Sequence, residues 1–204
     1  MILRVFRSRV REGREAELAS VARDRGIVES LAIPGLLSLR PGIRVADDGR
    51  MDFLLASTWT DIESVLGTGR DLNSPLAMPA VAELLEPGRG DHYEIVVGGS
   101  RAVPVVGSRL RVVRGRVKSN AESTFYALSR VITGRLLDAE GLITLEVGRR
   151  MAGDSDEAIM ISLWQGADDE TRAAGGNVDR PIGGDELAQL YEGEFSIEHY
   201  DALT

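Results

Sequence analysis

The sequence predicts an α+β fold in which one βαββαβ unit is written twice. Three observations predict it. The two histidines of this 204-residue chain lie in matching phrases, Asp91-His92-Tyr93-Glu94 and Glu198-His199-Tyr200-Asp201. Each half opens on an apolar run with arginine at the same three places, Leu3-Arg4-Val5-Phe6-Arg7-Ser8-Arg9-Val10 and Leu110-Arg111-Val112-Val113-Arg114-Gly115-Arg116-Val117. Both tryptophans fall in matched triplets, Ser57-Thr58-Trp59 and Ser162-Leu163-Trp164. Between these marks Gly35-Leu36-Leu37-Ser38-Leu39 matches Gly141-Leu142-Ile143-Thr144-Leu145, Gly42 and Arg44 match Gly148 and Arg150, and Leu84 and Glu86 match Leu190 and Glu192. Self-similarity that keeps its order along the chain is the mark of a duplicated structural unit.

Each element follows from local pattern. Residues 2–10 are rich in branched and apolar side chains and read as a strand. Residues 14–31 read as a helix, with Leu18, Val21, Ala22 and Leu31 as its apolar stripe and Pro34-Gly35 as its stop. A strand over Leu36–Val45, interrupted at Pro41-Gly42, and another over Asp52–Trp59 flank the turn signal Asp47-Asp48-Gly49. Thr60-Asp61-Ile62-Glu63 has the form of a capping box, with Thr60 as the cap and Glu63 reaching back. The helix it opens is short, because Gly67 and Gly69 follow, and a second helical piece near Val81–Leu85 precedes a last strand over 91–97. In the second copy Asn120 caps a helix carrying Phe125, Leu128, Ile132 and Leu136. Strands near 142–151 and 157–164 are joined by Gly153-Asp154-Ser155-Asp156, and a helix near 185–191 follows a glycine-rich stretch from Gly175 to Gly184. The order strand, helix, strand, strand, helix, strand is the ferredoxin-like split βαβ arrangement. The expected division is 1–97 for the first repeat, 98–108 for a linker and 109–204 for the second.

Composition excludes several functions. The chain is 43% hydrophobic but only 5% aromatic, so its core is mostly Leu, Val, Ile and Ala. A formal charge of −8, with arginines dispersed rather than run together, argues against a nucleic-acid binder. With no cysteine there is no disulfide framework, no thiolate metal site and no cysteine nucleophile. No apolar run approaches the roughly 20 residues of a membrane span, and no signal-peptide core opens the chain. The expectation is a soluble, cytoplasmic protein that binds neither membrane nor nucleic acid. Gly67-Thr68-Gly69 and the 175–184 stretch do not follow a strand, which rejects a dinucleotide or phosphate-loop site.

The arginine-bearing first strand, Pro34-Gly35-Leu36, Ser57-Thr58-Trp59 and the closing His92-Tyr93-Glu94 resemble the antibiotic-biosynthesis-monooxygenase-like group of the dimeric α/β-barrel superfamily, once per copy over nearly the whole chain. Members of that group usually pair two chains through their open sheet faces. The resemblance therefore implies two ferredoxin-like βαββαβ repeats packed as an intramolecular dimeric α/β-barrel-like pseudo-dimer, since uncovered apolar sheet faces must be buried somewhere. It leaves a homodimer of such pseudo-dimers open. It also implies a cofactor-independent monooxygenase acting on a small aromatic or polyketide-like molecule, in which the substrate itself reduces oxygen and no flavin or metal is needed. The alternative is a non-catalytic small-molecule-binding or accessory protein. A haem-degrading relative is disfavoured, because the helical segments 61–85 and 167–191 lack the histidine that such relatives use to bind iron.

Candidate chemistry falls in three constellations. Alternation puts Ser57 and Trp59 on one strand face, and Ser162 and Trp164 on the matching one, as walls of a substrate pocket or as core plugs. The plug reading carries more weight. His92 and His199 are candidate general bases, with Tyr93 and Tyr200 on the opposite faces as candidate holders of a phenol or quinone oxygen. The plainer reading is a strand-end histidine satisfied by a carbonyl or water, and a packed tyrosine. Arg7 and Arg114 could meet an anionic ligand, but pairing with an acid on a neighbouring strand, such as Glu94 or Asp201, is the commoner outcome. No ligand spacing supports a metal site.

Overall fold

The computed structural model describes residues 1–26, 30, 32–100, 108–151 and 156–203. Leu31 of the first expected helix, most of the 98–108 linker and most of the Gly153–Asp156 turn lie outside the described residues. The fold is α+β and both repeats carry the ferredoxin-like element order. In the first, β1 (Ile2–Arg9), α1 (Glu15–Val21), β2 (Leu36–Val45), β3 (Met51–Trp59), α2 (Ile62–Leu66) and β4 (Arg89–Ser100) follow one another, with a 3-10 turn at Pro79–Leu84. The second runs β5 (Arg109–Arg116), α3 (Glu122–Leu136), β6 (Leu142–Arg150), β7 (Glu157–Trp164), α4 (Ala167–Ala173), α5 (Gly184–Ala188) and β8 (Ser196–Ala202). The hydrogen-bonded strand order, β1-β3-β2-β8-β5-β7-β6-β4, is that of a closed antiparallel barrel.

Two compact units make up the chain, Met1–His92 with Tyr200–Thr204, and Tyr93–His199. They cut across the sequence repeats at the last strand of each copy. In the first unit β1 pairs with β3, β3 with β2, and β2 takes up the end of β8 through Gly42↔Ala202 and Ile43↔Asp201. Pro41, which interrupts the strand pattern, still belongs to β2. It has no N–H to give, and its carbonyl accepts from Leu203 N at 2.9 Å. In the second unit β5 pairs with β7, β7 with β6, and β6 takes up the second part of β4, from Tyr93↔Arg150 to Ser100↔Thr144.

Each unit has its own helix-side core. Phe6, Leu18, Phe53, Leu55, Trp59, Val65 and Leu76 belong to the first. Phe125, Tyr126, Val147, Met160, Trp164, Leu187 and Tyr191 belong to the second, where Phe125 meets Tyr126 and Tyr191 edge-on. Strand residues facing away from the helices are buried as well, among them Leu3, Val5, Leu54, Leu110, Val112 and Ile161.

Helix ends depart from the sequence reading. Asp61, not Thr60, caps α2: its carboxylate accepts from Ser64 N at 2.7 Å and Ser64 Oγ at 2.6 Å, while Thr60 Oγ1 lies 2.8 Å from Ser64 Oγ. The cap moves one residue on because Asp61 holds the extended backbone a cap requires. Ala121, not Asn120, occupies the cap of α3 and makes no side-chain bond. The first helix is α-helical only to Val21 and widens to a π-turn over Ala22–Gly26. Asp61→Ala is expected to lower the midpoint of chemical denaturation, and Thr60→Ala to lower it clearly less.

Candidate functional site

The first strand of each unit carries a fully buried arginine on its helix-facing side. Arg4, between Ile2 and Phe6, is 0% exposed and lies 5.7 Å over the Phe6 ring. Its Nη2 donates to the carbonyls of Leu72 (2.7 Å) and Ser74 (2.6 Å). Arg111 repeats this on the carbonyls of Val178 (3.2 Å) and Arg180 (2.5 Å). Each thus holds the loop that follows the short helix after the third strand of its copy. Hydrogen bonds from a charged donor are worth about 1.5–3 kcal/mol apiece.

Beyond this shared clamp the two surroundings differ. In the second unit Glu170 of α4, 1% exposed, sets Oε1 3.2 Å from Arg111 Nε and 2.8 Å from His199 Nδ1, with Oε2 3.8 Å from Arg109 Nε. In the first unit Val65 stands at the matching helix position. The match is fixed locally. Gly35 and Gly141 share a left-handed φ of +79°, and a Cβ on either would strike Ser64 and Asp169 respectively, the residues just before Val65 and Glu170. No carboxylate therefore meets Arg4 at ion-pair distance among the described residues. Nε and Nη1 of both arginines and Nε2 of both histidines are buried there without a hydrogen-bond partner, so the two units differ in counter-charge rather than in these bonds.

Electrostatics follow burial. Desolvation lowers Arg4 to about 10, against the opposing pull of Asp71 and Asp91, so it stays a cation at neutral pH. Burial lowers Arg111 too, with Glu170 the first group to oppose it. Burial, and then the charge of Arg4, push His92 below the ordinary imidazole range, with Asp91 opposing. His92 is thus neutral at pH 7, with one ring nitrogen free to accept a proton.

The remaining expected site residues are engaged elsewhere. Trp59 and Trp164 are fully buried in the helix-side cores, where each indole donates to its own triplet serine, Ser57 Oγ at 3.0 Å and Ser162 Oγ at 2.9 Å. Arg7 lies 3.9 Å from Asp91 and Arg114 3.9 Å from Glu198, which are matched partners at the residue before each histidine. Tyr93 donates to Glu157 Oε1 at 2.6 Å, an oxygen that Arg150 also meets at 3.2 Å. Tyr200 is stacked by Arg44, 5.1 Å from its ring centre. Tyr93 belongs to the second unit and His92 to the first. Next to α2, the first unit has a cleft of about 480 Å³ lined by Ile33, Pro34, Ser64, Thr68 and Arg70. The matching cleft of the second unit, by Ala174, Arg180 and Ile182, is about 290 Å³.

Sequence reasoning missed Arg4, Arg111 and Glu170. The signal for the arginines was present, since alternation sets Arg4 with Phe6 and Val10 on an apolar face. That for Glu170 was the Val65-to-Glu170 difference between aligned helices.

No family model matches the chain, and no curated protein sequence does. Solved structures do match its fold. A protein of Fusobacterium nucleatum provisionally named a monooxygenase superposes with a TM-score of 0.78 at 14% identity, covering 100% of this chain and 92% of its own. One of Lactobacillus acidophilus, named in the same way, gives 0.75 at 12% identity over 100% and 94%. A Listeria monocytogenes ferredoxin-fold protein related to antibiotic biosynthesis monooxygenases gives 0.56 at 11% identity over 98% and 94%. This chain has the antibiotic-biosynthesis-monooxygenase-like fold. At these identities the likeness speaks for the fold alone.

Two outcomes are expected. Trp59→Ala should lower stability by about 3–5 kcal/mol in denaturant titrations, as loss of a large core side chain does. In an NMR titration His92 should protonate below the free-imidazole midpoint of about 6.5. With its folded value lowered, the stability tied to neutral His92 is present above that midpoint and is lost as pH falls through the folded value. Denaturation midpoints of wild type and His92→Gln should therefore diverge only on the acid side.

Proposed function

We propose that the chain is a cofactor-independent, monooxygenase-like enzyme acting on a small aromatic or polyketide-like molecule, with the chemistry in its first unit. What supports the reading is the pairing of this fold with a buried site that keeps both a neutral histidine and unused cationic donors. His92, with its lowered affinity for protons, is the base that removes the hydroxyl proton of a phenol or enol. Arg4 offsets the charge that then develops on the substrate oxygen. The deprotonated ring supplies the electrons to oxygen, so the protein's part is to bind, deprotonate and exclude water. His199 is held by Glu170, Tyr93 by Glu157 and Tyr200 by Arg44, which leaves them supporting rather than reacting groups in this scheme. Among the described residues no helix is long and apolar enough to cross a membrane, which accords with a proposed cytoplasmic setting.

The second reading, a non-catalytic binding protein of the same fold, is favoured by the few titratable groups left uncommitted. Oxygen uptake with simple hydroquinones separates the two. Enzyme-dependent uptake that His92→Ala lowers by roughly 10²-fold, within the usual range for a lost general base, supports catalysis. Uptake no faster than buffer, or unchanged in His92→Ala, leaves the binding reading.

A further inference from the structure

We propose that the first unit binds a carboxylate-bearing small molecule on Arg4 and His92, and that Glu170 is a built-in carboxylate filling the same place in the second unit. The inference rests on the small-molecule reading above, but adds the ligand's charged group and the unit that takes it.

The two copies provide an internal comparison. Both keep the buried arginine, its grip on two loop carbonyls and the strand-end histidine. In the second copy Glu170 Oε1 lies 3.2 Å from Arg111 Nε and 2.8 Å from His199 Nδ1, so the buried cation has a counter-charge from within the chain. In the first copy no carboxylate stands there: Arg4 Nε and Nη1 and His92 Nε2 are buried without a hydrogen-bond partner, as are Arg111 Nε and Nη1 and His199 Nε2, but among the described residues only Arg111 of the two arginines has a counter-charge at ion-pair distance. A buried cation with no counter-charge at hand is costly, so a fold that retains one gains when an anion arrives. Each of the two free Arg4 nitrogens can donate a charge-assisted hydrogen bond to a carboxylate oxygen.

Side-chain volume points the same way. Val65 is shorter than Glu170, and Gly90 stands where the second copy has Ile197. A Cβ on Gly90 would come within 2.6 Å of Arg4 Nη2, so this position is kept bare beside the guanidinium. The Phe6 ring lies 5.7 Å from the guanidinium, which suits a ligand with an apolar ring behind its charged group.

The test is calorimetric titration with benzoate, and with benzamide as its neutral counterpart. Wild type should take one benzoate per chain and hold benzamide at least tenfold more weakly. Val65→Glu, which installs the second unit's carboxylate in the first, should weaken benzoate at least tenfold, while Val65→Leu should not. Glu170→Val should raise the stoichiometry to two, and this arm decides should Val65→Glu not fold. The proposal is overturned by equal binding of benzoate and benzamide, by unchanged benzoate binding in folded Val65→Glu, by a stoichiometry of one in Glu170→Val, or by no benzoate heat up to about 10 mM, above the millimolar limit of weak specific binding. Oxygen uptake is not read here. A chain that binds benzoate and consumes no oxygen keeps this site and loses only the catalytic reading.

Discussion

A buried arginine on the first strand of each copy is the constraint around which both units are arranged. Burying a guanidinium is tolerable only where its donors find acceptors, and the nearest are the carbonyls of the loop between the later helical segments. The loop gains a fixed path, and the strand gains a reason to keep a charge among Ile2, Phe6 and Val10. The tryptophan–serine bond on the third strand acts beside it, closing a second polar group inside the same apolar layer.

Duplication lets the two clamps diverge. A cation in an apolar core needs a counter-charge, and the second copy meets that need with Glu170, which also holds His199. The first copy carries Val65 there, and its arginine is answered only from a distance by Asp71 and Asp91. One half is therefore electrostatically complete on its own and the other is not, although the backbone around both is alike. This asymmetry gives the pseudo-symmetric chain a preferred side for its chemistry.

Much of the fold was legible. Strand alternation put Phe53, Leu55 and Trp59 on one face, which the structure places in the helix-side core, and the glycine and proline punctuation located most strands to within a few residues. The cap of α2 was misread by one residue because Thr60 and Asp61 are both competent caps, and only the backbone at Asp61 selects between them. The site was less legible. Arg7 and Arg114 drew attention as members of the repeated arginine set that could meet an anion, yet each lies near an acid on a neighbouring strand, whereas Arg4 and Arg111 are sealed inside. Periodicity assigns a face, but it does not say how deep that face lies.

By itself the sequence determined the duplication, the order of the elements in each copy and which residues share a strand face, because these depend on local pattern and on comparison of the chain with itself. The tertiary structure alone decided that the last strands of the copies divide between the two units, that His92 and Tyr93 belong to different ones, and that Glu170 reaches Arg111 and His199 while Val65 leaves Arg4 unanswered. The physical reason is range. These outcomes are set by contacts between residues far apart in the chain, and by the balance of desolvation and pairing at buried charges, neither of which is encoded in any short stretch.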